Sequence, residues 1–191
     1  PEPAASTGIA FMPHFESATR GDWAPVCAAA GITYLDPRAE VDGLLSAIRG
    51  AEVVLTEAMH GAIIADALRT PWVPLLPIHP SHRMKWDDWA ASLDLTLTRT
   101  ALPPSNLREG HVRATGLDGR GRTSAHLAEA AAARPLNALL RQHAARRLQR
   151  LVRDGIRHLS EDARIAEATE RSLERLDLFV RARAGGRRHS A

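Results

Sequence analysis

Cysteine is nearly missing from these 191 residues: Cys27 stands alone. A single thiol excludes an internal disulfide and a metal site built of cysteine, and it fits a reducing compartment. Lysine is as scarce, with Lys85 the one example beside 24 Arg, and aromatics make up only 4%. Without aromatics to stack on bases, and with Asp and Glu interspersed among the Arg, the basic balance of +3 does not read as a nucleic-acid surface. No apolar run approaches the roughly 20 residues that cross a bilayer, and no charged-then-apolar leader opens the chain, so it reads as soluble. There is no initiating Met, and Pro1 to Gly8 has the composition of a linker entering a strand, so a fragment or processed chain is expected. No Gly-x-Gly-x-x-Gly follows the first apolar run, which argues against a dinucleotide; no cofactor is expected.

What is present is an ordinary globular balance, 45% hydrophobic and 25% charged. Gly8–Met12 reads as a buried strand stopped by Pro13, with His14–Ser17 a polar loop after it. Trp23 to Ala30 forms a helical face between Asp22 and Gly31. Ile32–Leu35 is a second strand turned by Asp36-Pro37, and Val41, Leu44, Leu45 and Ile48 repeat at helical spacing up to Gly50. Glu52–Thr56 is the third strand, followed by a helix from Gly61 to Arg69. Trp72–Leu76 is the fourth, demoted towards an edge or bulge by Pro74. Strand and helix alternating every 20 residues or so is the pattern of right-handed βαβ crossovers. The expectation is α/β: a Rossmann-like parallel sheet over residues 1–99, with a helix at Met84–Leu93 and a short strand at Leu95–Leu97.

Beyond it, residues 100–123 carry Pro103-Pro104 and four Gly and read as a linker or mobile loop. A helical extension over 124–184 follows, with one apolar stripe from Leu136 to Ile156 and another from Ile165 to Val180. Residues 185–191 read as a frayed tail. The stripes leave packing on the sheet, or on another chain as a homo-oligomer, both open. A basic face resting on anionic lipid as a peripheral membrane contact is opposed by the interrupting Glu and Asp.

Chemistry concentrates at Val53–Leu68, where a strand runs through Thr56-Glu57-Ala58-Met59-His60-Gly61 into a helix. Such a turn presents the N–H groups of a first helical turn beside an imidazole, which suits an anionic ligand and proton transfer. His60 is the leading candidate for catalysis; Glu57 either orients it, acts itself, or simply sits well at a helix start. Asp66 reads as solvated or structural. In a parallel sheet the loops His14–Ser17, Asp36-Pro37, Glu57–His60 and Ile78–Lys85 gather at the carboxyl ends of the strands around one crevice. There His14 and Ser17 could hold a phosphate or carboxylate, and Lys85 offers a flexible ammonium, while Trp86 and Trp89 read as packing. His79, His82 and Asp87 match no zinc spacing, so no metal is expected.

The blocks Thr56–Leu68, Pro71-Trp72-Val73-Pro74, Lys85-Trp86-Asp87-Asp88-Trp89, Phe11–His14 and Leu35-Asp36-Pro37 together resemble the C-terminal half of polysaccharide pyruvyl transferases, the exopolysaccharide ketal-pyruvate transferases in particular. The resemblance implies one Rossmann-like half of a GT-B-like enzyme that moves a pyruvyl group from phosphoenolpyruvate onto two hydroxyls of a sugar, free or lipid-linked, as a cyclic ketal. It implies work in the cytoplasm at the inner face of the membrane. By the same resemblance His60 is the acid/base or donor-contacting histidine, with Met59 and Gly61 shaping its loop. Many relatives carry Arg where this chain has Ala58. Two rivals stand beside this reading: a GT-B glycosyltransferase using a nucleotide sugar, and an inactive, helix-rich assembly module.

Overall fold

The computed structural model describes residues 7–76, 83–116 and 130–186. Five strands form its centre: β1 Gly8–Met12, β2 Thr33–Tyr34, β3 Ala51–Thr56, β4 Trp72–Leu76 and β5 Thr100–Ala101. All neighbours pair in parallel, in the order β2-β1-β3-β4-β5. The helices between and after them are α1 Phe15–Arg20, α2 Trp23–Ala30, α3 Val41–Arg49, α4 Met59–Ala67, α5 Arg83–Ser92, α6 Leu107–Thr115, α7 Arg134–Asp154 and α8 Asp162–Gly186.

The alternation of side chains along a strand divides the core in two. Phe11, Val53, Leu55, Val73 and Leu75 face α2 and α7, where Trp23, Val26, Ala144 and Leu148 close over them. The intervening residues Ala10, Met12, Val54 and Trp72 face α3, α4 and α5, meeting Ile48, Ala62, Ala65 and Trp86. Strands buried on both sides need continuous apolar runs, which explains why β1 and β3 lack a polar face. Each fully buried Leu or Val adds about 1.5–3 kcal/mol over leaving it in water. The sheet order reverses between β1 and β3, the point where the carboxyl ends of the strands open a crevice.

Several local expectations are corrected. The loop expected at His14–Ser17 is the start of α1: His14 caps it, its Nδ1 accepting from Glu16 N at 3.4 Å, and Arg20 pairs with Glu16 one turn back at 3.5 Å. Leu95–Leu97 pairs with no strand. Asp94 takes a left-handed φ of 57° and turns the chain, so Leu95 and Leu97 owe their alternation to packing beside α5, and β5 forms at Thr100–Ala101 instead. Pro74 is not on an outer strand, since β4 lies between β3 and β5. The side of β4 turned from β3 is taken by His158 at Trp72, in bonds of 3.0 and 2.7 Å, and by β5 from Leu75 on. The N–H that proline lacks falls between those two partners. Of the two readings of Asp66, solvated or structural, the structural one holds. Asp66 is 2% exposed and its Oδ1 accepts from Trp72 Nε1 at 3.0 Å and from Ser160 N at 2.8 Å.

The stretch expected as a linker is part of the folded body as far as Gly116. Asn106 caps α6 by accepting from Glu109 N at 2.9 Å, and Leu102, Ser105, Asn106, Glu109 and Val112 are buried. Residues 117–129, which fall in the expected linker and the start of the helical extension, lie outside the described residues. So do the loop histidines His79 and His82, the first six residues and residues 187–191 of the expected frayed tail, whereas Gly185 and Gly186 continue α8. The two C-terminal helices differ from each other. α7 forms half of one sheet face, with Arg141 on Asp22 at 2.8 Å. α8 is held near its start by Arg69 on Asp162 at 2.7 Å and Arg164 on Asp94 at 3.2 Å, and its later stripe at Leu173, Leu176 and Val180 is more than half exposed. Among the described residues no helix is long and apolar enough to cross a membrane.

Candidate active site

At the reversal point β1 and β3 end side by side, with Glu57 N donating to Met12 O at 3.0 Å as the last rung between them. Thr56 then folds the chain: its hydroxyl oxygen accepts from Ala58 N at 3.0 Å and bonds Ala58 O at 2.9 Å. That tight turn launches α4 at Met59. Gly61 is what lets the helix approach so closely, since a Cβ there would stand 2.6 Å from Met12 Sδ and 2.7 Å from Thr56 Oγ1. Ala58 in the cap position offers no side-chain acceptor, so the partial positive charge of the first turn is left unspent.

In front of this turn lies a cavity of about 420 Å³. All four loops expected at the crevice reach it, through His14, Pro37, His60 and Lys85. Met59 and Gly61 complete the expected lining, so five of the seven site residues read from the sequence share one cavity. Its remaining wall is largely apolar, with Leu44, Leu45 and Ile64 from α3 and α4 and Trp86 from α5. His60 is exposed at its rim and has no hydrogen-bond partner among the described residues. Trp86 and its neighbour Trp89 pack against Trp72 at 6.2 and 5.4 Å between ring centres, the packing role expected of them.

The other two residues sit behind the cavity. Glu57 is fully buried and Ser17 is 2% exposed. Glu57 Oε2 accepts from His14 N at 3.2 Å, and the Ser17 hydroxyl also bonds this carboxyl. Its Oε1 has no partner among the described residues, and nothing links Glu57 to His60. Burial pushes the Glu57 carboxyl up to about 8, and the nearby Glu109 adds to the rise; Ser17, the His14 amide and Arg113 oppose it.

Glu109 is the residue that sequence reasoning missed. It is fully buried on α6, with Oε2 accepting from Ser105 N at 2.7 Å and Ser105 Oγ at 2.6 Å, and Oε1 from Trp23 Nε1 at 2.7 Å. Burial raises its pKa too, against the pull of those donors. The spacing Asn106-x-x-Glu109 is a capping signature and signals α6, although it does not foretell where the carboxylate turns.

Residues 18–79 match the family model described as polysaccharide pyruvyl transferase. Over 103 residues the chain is 40% identical to the succinoglycan biosynthesis protein ExoV of Rhizobium meliloti. The alignment with ExoV covers 54% of this chain and 33% of ExoV, so the chain spans about a third of the length of that relative. No solved structure matches the chain. The matched residues run from Ala18 in α1 past the end of β4 to residue 79 and contain the whole Thr56–Gly61 turn. His14, Ser17 and Lys85 lie just outside the matched residues, so the cavity joins residues inside the match to His14 and Lys85 on either side of it.

Proposed function

We propose that this chain supplies the donor side of a pyruvyl transferase of exopolysaccharide synthesis, and that its cavity takes phosphoenolpyruvate. The observation carrying this reading is His60 at the rim of a cavity whose floor is the uncapped first turn of α4, with Lys85 on the facing helix. Phosphoenolpyruvate is a small trianion, and one helix terminus with one ammonium matches its phosphate and carboxylate. His60 gives a proton to the methylene carbon, which leaves the adjacent carbon electrophilic. A sugar hydroxyl adds there and returns its proton to His60, phosphate departs with the electrons of the C–O bond, and a second hydroxyl closes the ketal as its proton passes to that phosphate. Protein, sugar and donor then balance as one ketal and one inorganic phosphate. The family match and ExoV's name support polysaccharide synthesis as the setting. The sugar, free or lipid-linked, comes in this reading against a second Rossmann-like domain of a GT-B-like enzyme, in the part of the longer relative that this chain does not span.

Titration with phosphoenolpyruvate and with nucleotide sugars tests the donor. Saturable binding of phosphoenolpyruvate supports the proposal, and binding of a nucleotide sugar in its place supports a glycosyltransferase. In the full-length enzyme, His60→Gln should abolish ketal formation while the fold persists. Near-normal turnover would overturn the role given to His60.

A further inference from the structure

A carboxylate next to the start of a helix ordinarily takes up the positive end of that helix. Glu57 directly precedes the Ala58 cap of α4, yet it turns inward, away from the cavity, to a site it shares with a second carboxylate. The two are served unequally. Glu109 has three donors, from Ser105 twice and Trp23 once, while Glu57 has the His14 amide and the Ser17 hydroxyl on one oxygen and, among the described residues, nothing on the other. Two buried carboxylates that repel each other cannot both hold a full charge cheaply, and the better-served one is the better place for it; Arg113 eases the charge on Glu57 only in part. The other charges on α1, Glu16 and Arg20, pair with each other at 3.5 Å.

We propose that Glu57 is a positioning residue whose neutral carboxyl leaves the first turn of α4 to an anion in the cavity and pins the His14 turn at the cavity wall, so that anion binding fails when Glu57 ionises. This rests on the reading of the cavity as a donor site. Ionised, Glu57 would place a negative charge beneath the bound anion in a region of low dielectric, where repulsion is poorly screened. It would also be driven from Glu109, and α1, which carries both of its donors, would shift with it. The direction of its titration agrees: burial and Glu109 both favour the protonated form.

The test compares the protein with Glu57→Gln from about pH 7 to about pH 9.5, using phosphoenolpyruvate, inorganic phosphate and the ¹H–¹⁵N shifts of the His14 and Met59 amides. Everything else that titrates is common to both proteins. In the parent the two amides should move in one step within that range, and affinity for the anion should fall at least about tenfold across it. In Glu57→Gln the step should vanish and the fall should stay under about threefold. Glu109→Gln, which removes the like charge, should move the parent's step down by about one pH unit. An identical step in parent and Glu57→Gln overturns the proposal, as does a step without any change in anion affinity or an unmoved step in Glu109→Gln. Should phosphoenolpyruvate not bind while inorganic phosphate shows the loss in the parent alone, the donor reading falls and the role of Glu57 stands. Should phosphoenolpyruvate bind with the same profile in both proteins, the role of Glu57 falls and the donor reading stands.

Discussion

Replacing Asp66 by alanine should cost this fold more than any loss of apolar contact at the same position. The carboxylate joins three elements: it sits on α4, takes the indole N–H of Trp72 from β4 at 3.0 Å, and takes the amide of Ser160 from the segment leading into α8 at 2.8 Å. All three residues are buried, Trp72 completely. Hydrogen bonds to a carboxylate are worth about 1.5–3 kcal/mol each, and here the variant also strands both donors away from water. A loss of about 3–5 kcal/mol follows, a large part of the roughly 5–15 kcal/mol that holds a domain folded. Asp66→Asn keeps an acceptor oxygen in the same place and should cost about 1 kcal/mol. Urea unfolding followed by tryptophan emission is the assay, since Trp72, Trp86 and Trp89 all pack at this point. Hydrogen exchange at the Ser160 amide adds a local reading, with faster opening in Asp66→Ala alone. An Asp66→Ala protein within about 1 kcal/mol of the parent would refute this reasoning, because it would mean that water or a relaxed backbone serves both donors equally well.

Stability should also depend on pH through Glu57. Its carboxyl holds a proton up to about 8 in the folded protein and releases it near 4.5 in the unfolded chain, so stability falls as pH rises between those values. At about 1.4 kcal/mol per unit the loss reaches about 3 kcal/mol near neutrality, and Glu57→Gln should remove that part of the slope in urea titrations at about pH 5 and about pH 7. Equal slopes in the two proteins would contradict it. Gly61→Ala puts a Cβ against Met12 Sδ and Thr56 Oγ1, and the Thr56 side chain is fixed by its bonds to Ala58. It should cost about 1–3 kcal/mol in thermal or urea unfolding and weaken anion binding by displacing the first turn of α4.

The α/β character and the crevice were legible because they rest on local patterns. The β1 and β3 runs show their apolar faces within a few residues, and the four polar loops follow from strand order alone once the crossovers are right-handed. What was not legible depends on partners distant in the chain. Glu57 and Asp66 look alike in sequence, each a carboxylate beside a helical run, and only Glu109 in one case and Trp72 with Ser160 in the other decide what each does. Residues 100–116 were read by composition, and Pro103-Pro104 outweighed the capping signature Asn106-x-x-Glu109 that places α6. α7 and α8 carry equally good apolar stripes. The core beneath α2 takes the first at Ala144, Leu148 and Leu151 and leaves its ends at Leu136, Leu139 and Ile156 exposed, whereas the second is exposed from Leu173 on.

The partnership of Trp72 with His158 has a consequence for how the molecule behaves in company. A parallel sheet with an open flank is a template onto which another chain can add a strand, and repeated addition ends in fibrils. Here both outermost strands, β2 and β5, are two residues long, and the stretch of β4 that β5 does not reach is closed by the backbone of His158, with its ring stacked on Trp72 at 5.1 Å. Cutting or unfolding the segment around His158 would therefore free the N–H and C=O of Trp72 on a strongly apolar strand, turning a loss of local order into a propensity to aggregate.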